Sequence, residues 1–212
     1  MIFFWRHQGR EKDEIRSYLN TVIRRIPIWL IYFLGSLPAV WSFWLGLINQ
    51  LGPNPINKLE HLLGEFALQL LVLGLILSPL KRYTAINLLK FRRSIGLLAF
   101  FYVALHLFVW LLLDVRILSQ IWADIIKRPY ITIGMLAFLA MWPLALTSNQ
   151  KSMKWLGRNW FTLHKLTYLI CLLGAVHFVM VRKGFQLEPL IYLSVILLLL
   201  LMRLAPRLKS KI

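Results

Sequence analysis

Six apolar runs, at roughly 27–49, 59–80, 94–114, 130–147, 160–181 and 187–205, take up most of this 212-residue chain. About 20 apolar residues in helical form cross a bilayer core, and hydrocarbon offers backbone polar groups no partner outside the segment itself. The runs therefore predict one integral, all-α membrane domain of six transmembrane helices over residues 27–205. The totals agree: 59% of residues are apolar and mean hydropathy is +0.67, against roughly 45–50% apolar in soluble domains. The connections are short and basic and leave no length for a second, soluble domain. Pro27 and Pro129 suit first helical turns, Pro79 falls near the end of a run, and LGPNP at 51–55 reads as a turn.

The net charge of +17 is carried at the ends of the apolar runs and not on an interleaved basic and aromatic face, which argues against a nucleic-acid partner. It reads instead as topology. Eighteen Lys and Arg fall on one side of the six helices and six on the other, with Lys165 inside a span. That bias places both termini in the cytoplasm, where the excess charge faces anionic lipid. Residues 1–26 open with MIFFWRHQGR and carry no small-residue cleavage site. They read as a basic amphipathic segment on the membrane surface, with Phe3, Phe4 and Trp5 as interfacial anchors and His7 as a surface residue. Residues 206–212 form a basic cytoplasmic tail. The one cysteine, Cys171, lies within a span and permits neither an intrachain disulfide nor a thiolate cluster.

Orientation converts position into depth. The runs at 94–114 and 160–181 both leave the cytoplasm, so His106 and His177 fall at matched depth in the outer half of the membrane and can face one another. Ionisable groups in spans are functional candidates, although a histidine can also bridge helices by bonding a carbonyl or hydroxyl. Two neutral imidazoles at one depth make an axial pair for haem iron. Zinc and di-iron arrangements lack ligands here, since Glu65 is the only acid well within a span and Glu60 sits at an interface. Ala104, Gly174 and Ala175 offer small side chains near the histidines for a flat macrocycle, and Lys127, Arg128, Arg182 and Lys183 are cations for its propionates. With both axial positions filled by protein, such an iron serves electron transfer rather than oxygen chemistry.

The other two candidates differ. His61 lies near the outer start of its run, where the interface supplies water as a partner. His164 lies at the cytoplasmic end, about 20 Å from His177 at 1.5 Å per residue, and about 140° from it around an ideal helix. A second bis-histidine site would want a histidine about thirteen residues before His106, where Arg92 and Arg93 stand. Arg92, Arg93, Lys151, Lys154, Arg158 and Lys165 around His164 instead make a pocket for a flavin phosphate or a quinone headgroup, or a positive-inside collar.

LGPNPINKLEHLLGEFAL (51–68), SPLKR (78–82), RRSIGLLAFFYVALH (92–106), IIKRPYITIG (125–134), PLALTS (143–148), LGRNWFTLHKLTY (156–168) and AVHF (175–178) together resemble the MsrQ family, formerly YedZ. These are haem-binding membrane subunits of the ferric reductase-like transmembrane superfamily. The match covers about residues 27–205; the first 26 residues extend beyond it. The resemblance implies a subunit of the bacterial inner membrane carrying haem b, one or two, and FMN. It passes electrons from the quinone pool to MsrP, a periplasmic molybdenum-containing methionine sulfoxide reductase that repairs oxidised proteins. It further implies His106 and His177 as the favoured haem ligands, with His164 a further candidate. Lys165 stands where an Arg is common, which keeps the charge and loses the planar fork.

The expectation is thus a six-helix membrane cytochrome b relaying electrons outwards from the quinone pool or a cytoplasmic flavin reductase, with methionine sulfoxide reduction left to the partner. One rival is a stand-alone transmembrane ferric or NADPH-driven reductase; that would need a fused nucleotide domain, and no G-x-G-x-x-G occurs before Ile212. Another is a transporter or structural membrane protein whose histidines only bridge helices.

Overall fold

A computed structural model describes residues 2–115, 117–182 and 186–209, with side chains described from residue 14 to residue 203 apart from 116, 118, 120 and 183–185. Every regular element among them is helical. The helices are α1 (Ile2–Arg25), α2 (Ile28–Leu47), α3 (Pro55–Thr84), α4 (Arg92–Val109), α5 (Leu118–Lys127), α6 (Pro129–Leu146), α7 (Gln150–Leu156), α8 (Arg158–Leu163), α9 (Leu166–Val181) and α10 (Leu187–Lys209).

Among the described residues, five helical stretches are long and apolar enough to cross a membrane: Ile28–Leu47, Pro55–Thr84, Leu89–Val115, Pro129–Leu146 and Arg158–Val181. They coincide with the first five expected runs. The sixth run falls in α10, whose side chains from residue 204 onward lie outside the described residues. On α2, Trp29, Phe33, Val40, Trp41 and Trp44 are all exposed while only Ala39 and Ser42 are buried. A helix apolar on nearly every side is at home in lipid.

Three features depart from straight spans. The third is α-helical only to Val109 and continues as a π-helix over Trp110–Val115. The fifth is interrupted at His164 and Lys165, between α8 and α9. The connection after the third contains a ten-residue helix, α5, that leaves Trp122 and Ile126 exposed. Proline roles also shift: Pro55 and Pro129 open α3 and α6, whereas Pro27 precedes α2 as its cap and Pro79 lies inside α3, which runs on to Thr84.

Helices α3, α4, α6 and α9 make the centre of the bundle, with α2 against α3 and α4 and α10 against α3 and α9. Leu71, Leu75, Ala99, Met141, Ile170 and Ile196 fill one part of the core, joined by the free thiol of Cys171. Arg203 ties α10 to its neighbours by donating to the Leu75 carbonyl (2.7 Å) and to the Tyr168 hydroxyl (2.9 Å). The C-terminal end of α1 is bound to the α3–α4 connection: Lys90 Nζ donates to the carbonyls of Arg24 and Ile26, both at 2.8 Å, and Asn20 caps the backbone at Ala85 and Asn87. Ile15, Tyr18, Leu19 and Val22 of α1 are exposed apolar residues. Phe3, Phe4 and Trp5, the expected anchors, and His7, the expected surface residue, have side chains outside the described residues.

A hydroxyl bridges two turns of α2. Pro38 lies inside that helix, and the buried Tyr102 of α4 accepts from the Ala39 N–H (3.0 Å) and donates to the Gly35 carbonyl (2.8 Å). These are groups four residues apart, the pair an uninterrupted helix joins directly. Gly35 is needed for the approach, since a Cβ there would stand 2.5 Å from Leu98 Cδ1. Tyr102→Phe leaves two backbone groups without this partner in apolar surroundings. The expected cost is about 1–3 kcal/mol, read as a lower thermal midpoint in detergent; an unchanged midpoint would show that the bridge carries no stability.

Candidate functional site

The histidine on α4 and the histidine on α9 meet across the centre of the bundle. The rings of His106 and His177 lie 6.2 Å apart, centre to centre, with their planes at 84°. Nδ1 of His106 is 2.9 Å from the carbonyl oxygen of Glu60 on α3, and Nδ1 of His177 is 2.7 Å from that of Tyr130 on α6. A carbonyl can only accept, so Nδ1 carries the proton in both rings and Nε2 keeps a free lone pair. This is the tautomer that binds metals through Nε2, with the other nitrogen oriented by an outer partner.

The spacing suits one ion between the two Nε2 atoms. A metal–imidazole bond of about 2.0 Å and about 1.2 Å from nitrogen to ring centre, taken twice in line, span about 6.4 Å, close to the 6.2 Å between the ring centres. Around the rings lies a cavity of about 290 Å³, lined from α3, α6 and α9 by Gly64, Ala67, Gly134, Ala137 and Gly174. Small residues on three helices open a slot of the kind a flat macrocycle requires. Among the described residues no group of three or more His, Cys, Asp and Glu side chains comes together to hold a metal ion, so the paired imidazoles are the arrangement available for one.

The other expected site residues divide. His61 lines the same cavity, at an end where Glu60, Asp114 and Arg128 also appear. Arg128 is held by Asp124 (3.2 Å), and Arg182 lies 3.8 Å from Glu188 with its guanidinium over the Phe178 ring. These two expected propionate partners therefore already have carboxylate neighbours. Lys127 is exposed, and Lys183 lies outside the described residues. Of the three small residues expected beside the macrocycle, only Gly174 lines the cavity; Ala175 is buried in the core instead.

His164 belongs to a separate cluster. Its ring stacks on Trp160 (3.9 Å between centres), and its Nε2 lies 3.1 Å from the hydroxyl of Thr147. That hydroxyl donates its single proton to the Pro143 carbonyl at 2.6 Å, so Nε2 of His164 is the donor and the ring carries the opposite tautomer to the other pair. Arg92 is close enough to interact with His164 and reaches the Tyr168 hydroxyl shared with Arg203. Arg93, Lys151, Lys154, Arg158 and Lys165 stand exposed.

The model of the ferric reductase like transmembrane component family matches residues 61–175, which hold His61, His106 and His164. Over 186 residues the chain is 47% identical to the protein-methionine-sulfoxide reductase heme-binding subunit MsrQ of Brucella ovis, covering 87% of this chain and 84% of that protein. The chain belongs to the MsrQ family. MsrQ of Brucella canis and of Brucella suis biovar 1 match to the same extent. No solved structure matches. MsrQ membership and five apolar spans together make this a multi-pass membrane protein.

Sequence reasoning missed what holds the imidazoles: the carbonyls of Glu60 and Tyr130 and the glycines beside them. A signal was present in the two segments, each with Gly four residues after the carbonyl and Ala three residues further on. In ¹⁵N spectra of histidine-labelled protein, His106 and His177 are expected to carry their protons on Nδ1. A proton on Nε2 of either ring would contradict this geometry.

Proposed function

We propose that the chain is a membrane cytochrome b whose axial ligands are His106 and His177. Its role is to carry electrons across the bacterial inner membrane to the periplasmic methionine sulfoxide reductase MsrP. The observation that carries the reading is the 6.2 Å imidazole pair with both Nδ1 atoms tied to backbone carbonyls. Membership in a family whose relatives are named heme-binding subunits of a protein-methionine-sulfoxide reductase supports it.

A haem bound between the two rings supplies one-electron chemistry near the outer face. The chain's own residues do the rest. His106 and His177 would hold the haem iron from both sides, which would leave no iron site for a substrate and would suit electron relay. Gly64, Ala67, Gly134 and Ala137 leave room for the ring, and the surrounding apolar side chains keep water from it. One bis-imidazole site is built this way, because Nε2 of His164 is engaged by Thr147; the reading is accordingly one haem per chain.

The lysine and arginine bias supports six spans, α10 among them, with both termini cytoplasmic and the His106–His177 pair towards the periplasm. On the cytoplasmic side, Arg92, Tyr168 and Arg203 with His164 are suited to an anionic or hydroxylated electron donor. We assign that end to the quinone pool or a cytoplasmic flavin reductase, with FMN phosphate as the anionic group drawn to the exposed collar of Arg93, Lys151, Lys154, Arg158 and Lys165.

Purified protein should show a Soret band and a reduced α-band at one haem per chain, and His106→Ala or His177→Ala should abolish both; a colourless, fully competent preparation would overturn the reading. His164→Ala should retain the haem bands. Pre-reduced protein mixed with MsrP and methionine sulfoxide should be reoxidised, and persistence of the reduced spectrum would remove MsrP as the acceptor.

A further inference from the structure

The two histidines sit in seats of the same design. On α3 the carbonyl of Glu60 accepts from His106, Gly64 lies one turn on, and Ala67 one turn beyond that. On α6 the carbonyl of Tyr130 accepts from His177, followed at the same intervals by Gly134 and Ala137. Each member of the first set recurs 70 positions later, and His177 follows His106 by 71. Two pairs of helices, α3 with α4 and α6 with α9, thus present one imidazole each to a shared cavity by one device.

The glycines are where the device is tight. A Cβ on Gly134 would stand 2.8 Å from Nδ1 and 2.9 Å from Cε1 of His177, closer than carbon approaches such atoms. A Cβ on Gly64 would stand 3.2 Å from Nδ1 and 3.4 Å from Cε1 of His106. Within a helix the carbonyl of residue i lies beside residue i+4, because the N–H of i+4 bonds it. A side chain at i+4 therefore covers the approach to that carbonyl. At these two positions the absence of a Cβ lets the neighbouring helix lay an imidazole edge across the turn and reach the oxygen.

The geometry points to Gly134 and Gly64 as positioning residues that seat the Nδ1–H edges of His177 and His106 on the preceding helical turn, fixing both which nitrogen faces the cavity and the near-perpendicular ring planes. This rests on the reading of the two histidines as haem ligands. The chemical consequences are separable from haem content. An Nδ1–H held on a carbonyl makes the imidazole a stronger donor to ferric iron, and perpendicular axial planes give a strongly anisotropic low-spin ferric signal. Adding one methyl at Gly134 must turn or withdraw the His177 ring. The obstructed atoms belong to a side chain and not to backbone, so the helices can stay in place while the ring moves.

The experiment compares the haem-loaded parent with Gly134→Ala, Gly64→Ala and Gly96→Ala; a Cβ at Gly96 meets nothing within 4 Å. Low-temperature electron paramagnetic resonance and a redox titration are recorded on each. Gly134→Ala is expected to shift the low-spin signal and raise the midpoint potential, Gly64→Ala to do the same to a smaller extent, and Gly96→Ala to match the parent. Signals and potentials of Gly134→Ala and Gly64→Ala identical to the parent would overturn the inference while leaving the ligands standing. If Gly134→Ala fails to fold, Gly64→Ala decides alone, its unchanged signal counting against the proposal and its shift for it. A parent without haem bands overturns the ligand reading and this inference with it.

Discussion

Hydrocarbon supplies no water to complete a polar group, so every N–H and C=O in the spans, the imidazole N–H groups included, has to find its partner inside the protein. For the backbone the answer is the helix. For an imidazole on a helix surface the nearest acceptor is a carbonyl of the neighbouring helix, already engaged in its own ladder but with a second lone pair to offer. His106 and His177 take that option at Glu60 and Tyr130. One hydrogen bond at each ring then settles the tautomer, the orientation and the free nitrogen together. The same economy explains Tyr102, whose hydroxyl stands between the Ala39 N–H and the Gly35 carbonyl beside Pro38 of α2.

Close approach follows from the same need. Three glycines mark where a neighbouring side chain comes closest to a helix: Gly35 under Leu98, Gly64 under His106 and Gly134 under His177. Small residues in membrane helices let backbones come together. Here they also let side chains reach backbone, and the space left by Gly64, Ala67, Gly134 and Ala137 becomes the wall of the cavity. Packing and site are therefore one arrangement of small residues.

The apolar runs were legible in the sequence because composition over about 20 residues is a strong signal, and five of them recur as apolar helices of spanning length. The pairing of His106 with His177 was legible for a related reason, since depth follows from distance along a span. What escaped was whatever breaks a uniform helix. The 140° separation expected between His164 and His177 assumed an unbroken helix, but the chain turns at His164 and Lys165 between α8 and α9. The π-helix over Trp110–Val115 leaves no mark in hydropathy. Helix α5 is too short and too polar to register as a span, and its place in the connection hid it. Gly64 and Gly134 were overlooked for a different reason: their shared spacing to Ala67 and Ala137 carries no meaning until the carbonyl four positions earlier is known to accept from another helix.

The offset that relates the two seats also explains why the bundle is asymmetric from end to end. Moving 71 positions back from His177 reaches His106, but moving 71 positions back from His164 reaches Arg93. The end that holds His106 and His177 therefore has an imidazole from each half, whereas the end that holds His164 has one imidazole and a guanidinium. A cation cannot serve as the second axial ligand to iron. His164 accordingly turns to the local polar groups, its Nε2 on Thr147 and its face on Trp160, while Arg92 and Arg203 converge on the Tyr168 hydroxyl. The two arginines beside the Tyr168 phenol concentrate positive charge at that end. The two ends of the bundle thus differ in kind: a pair of imidazoles with both Nδ1 atoms on backbone carbonyls at one, and a cationic polar cluster at the other.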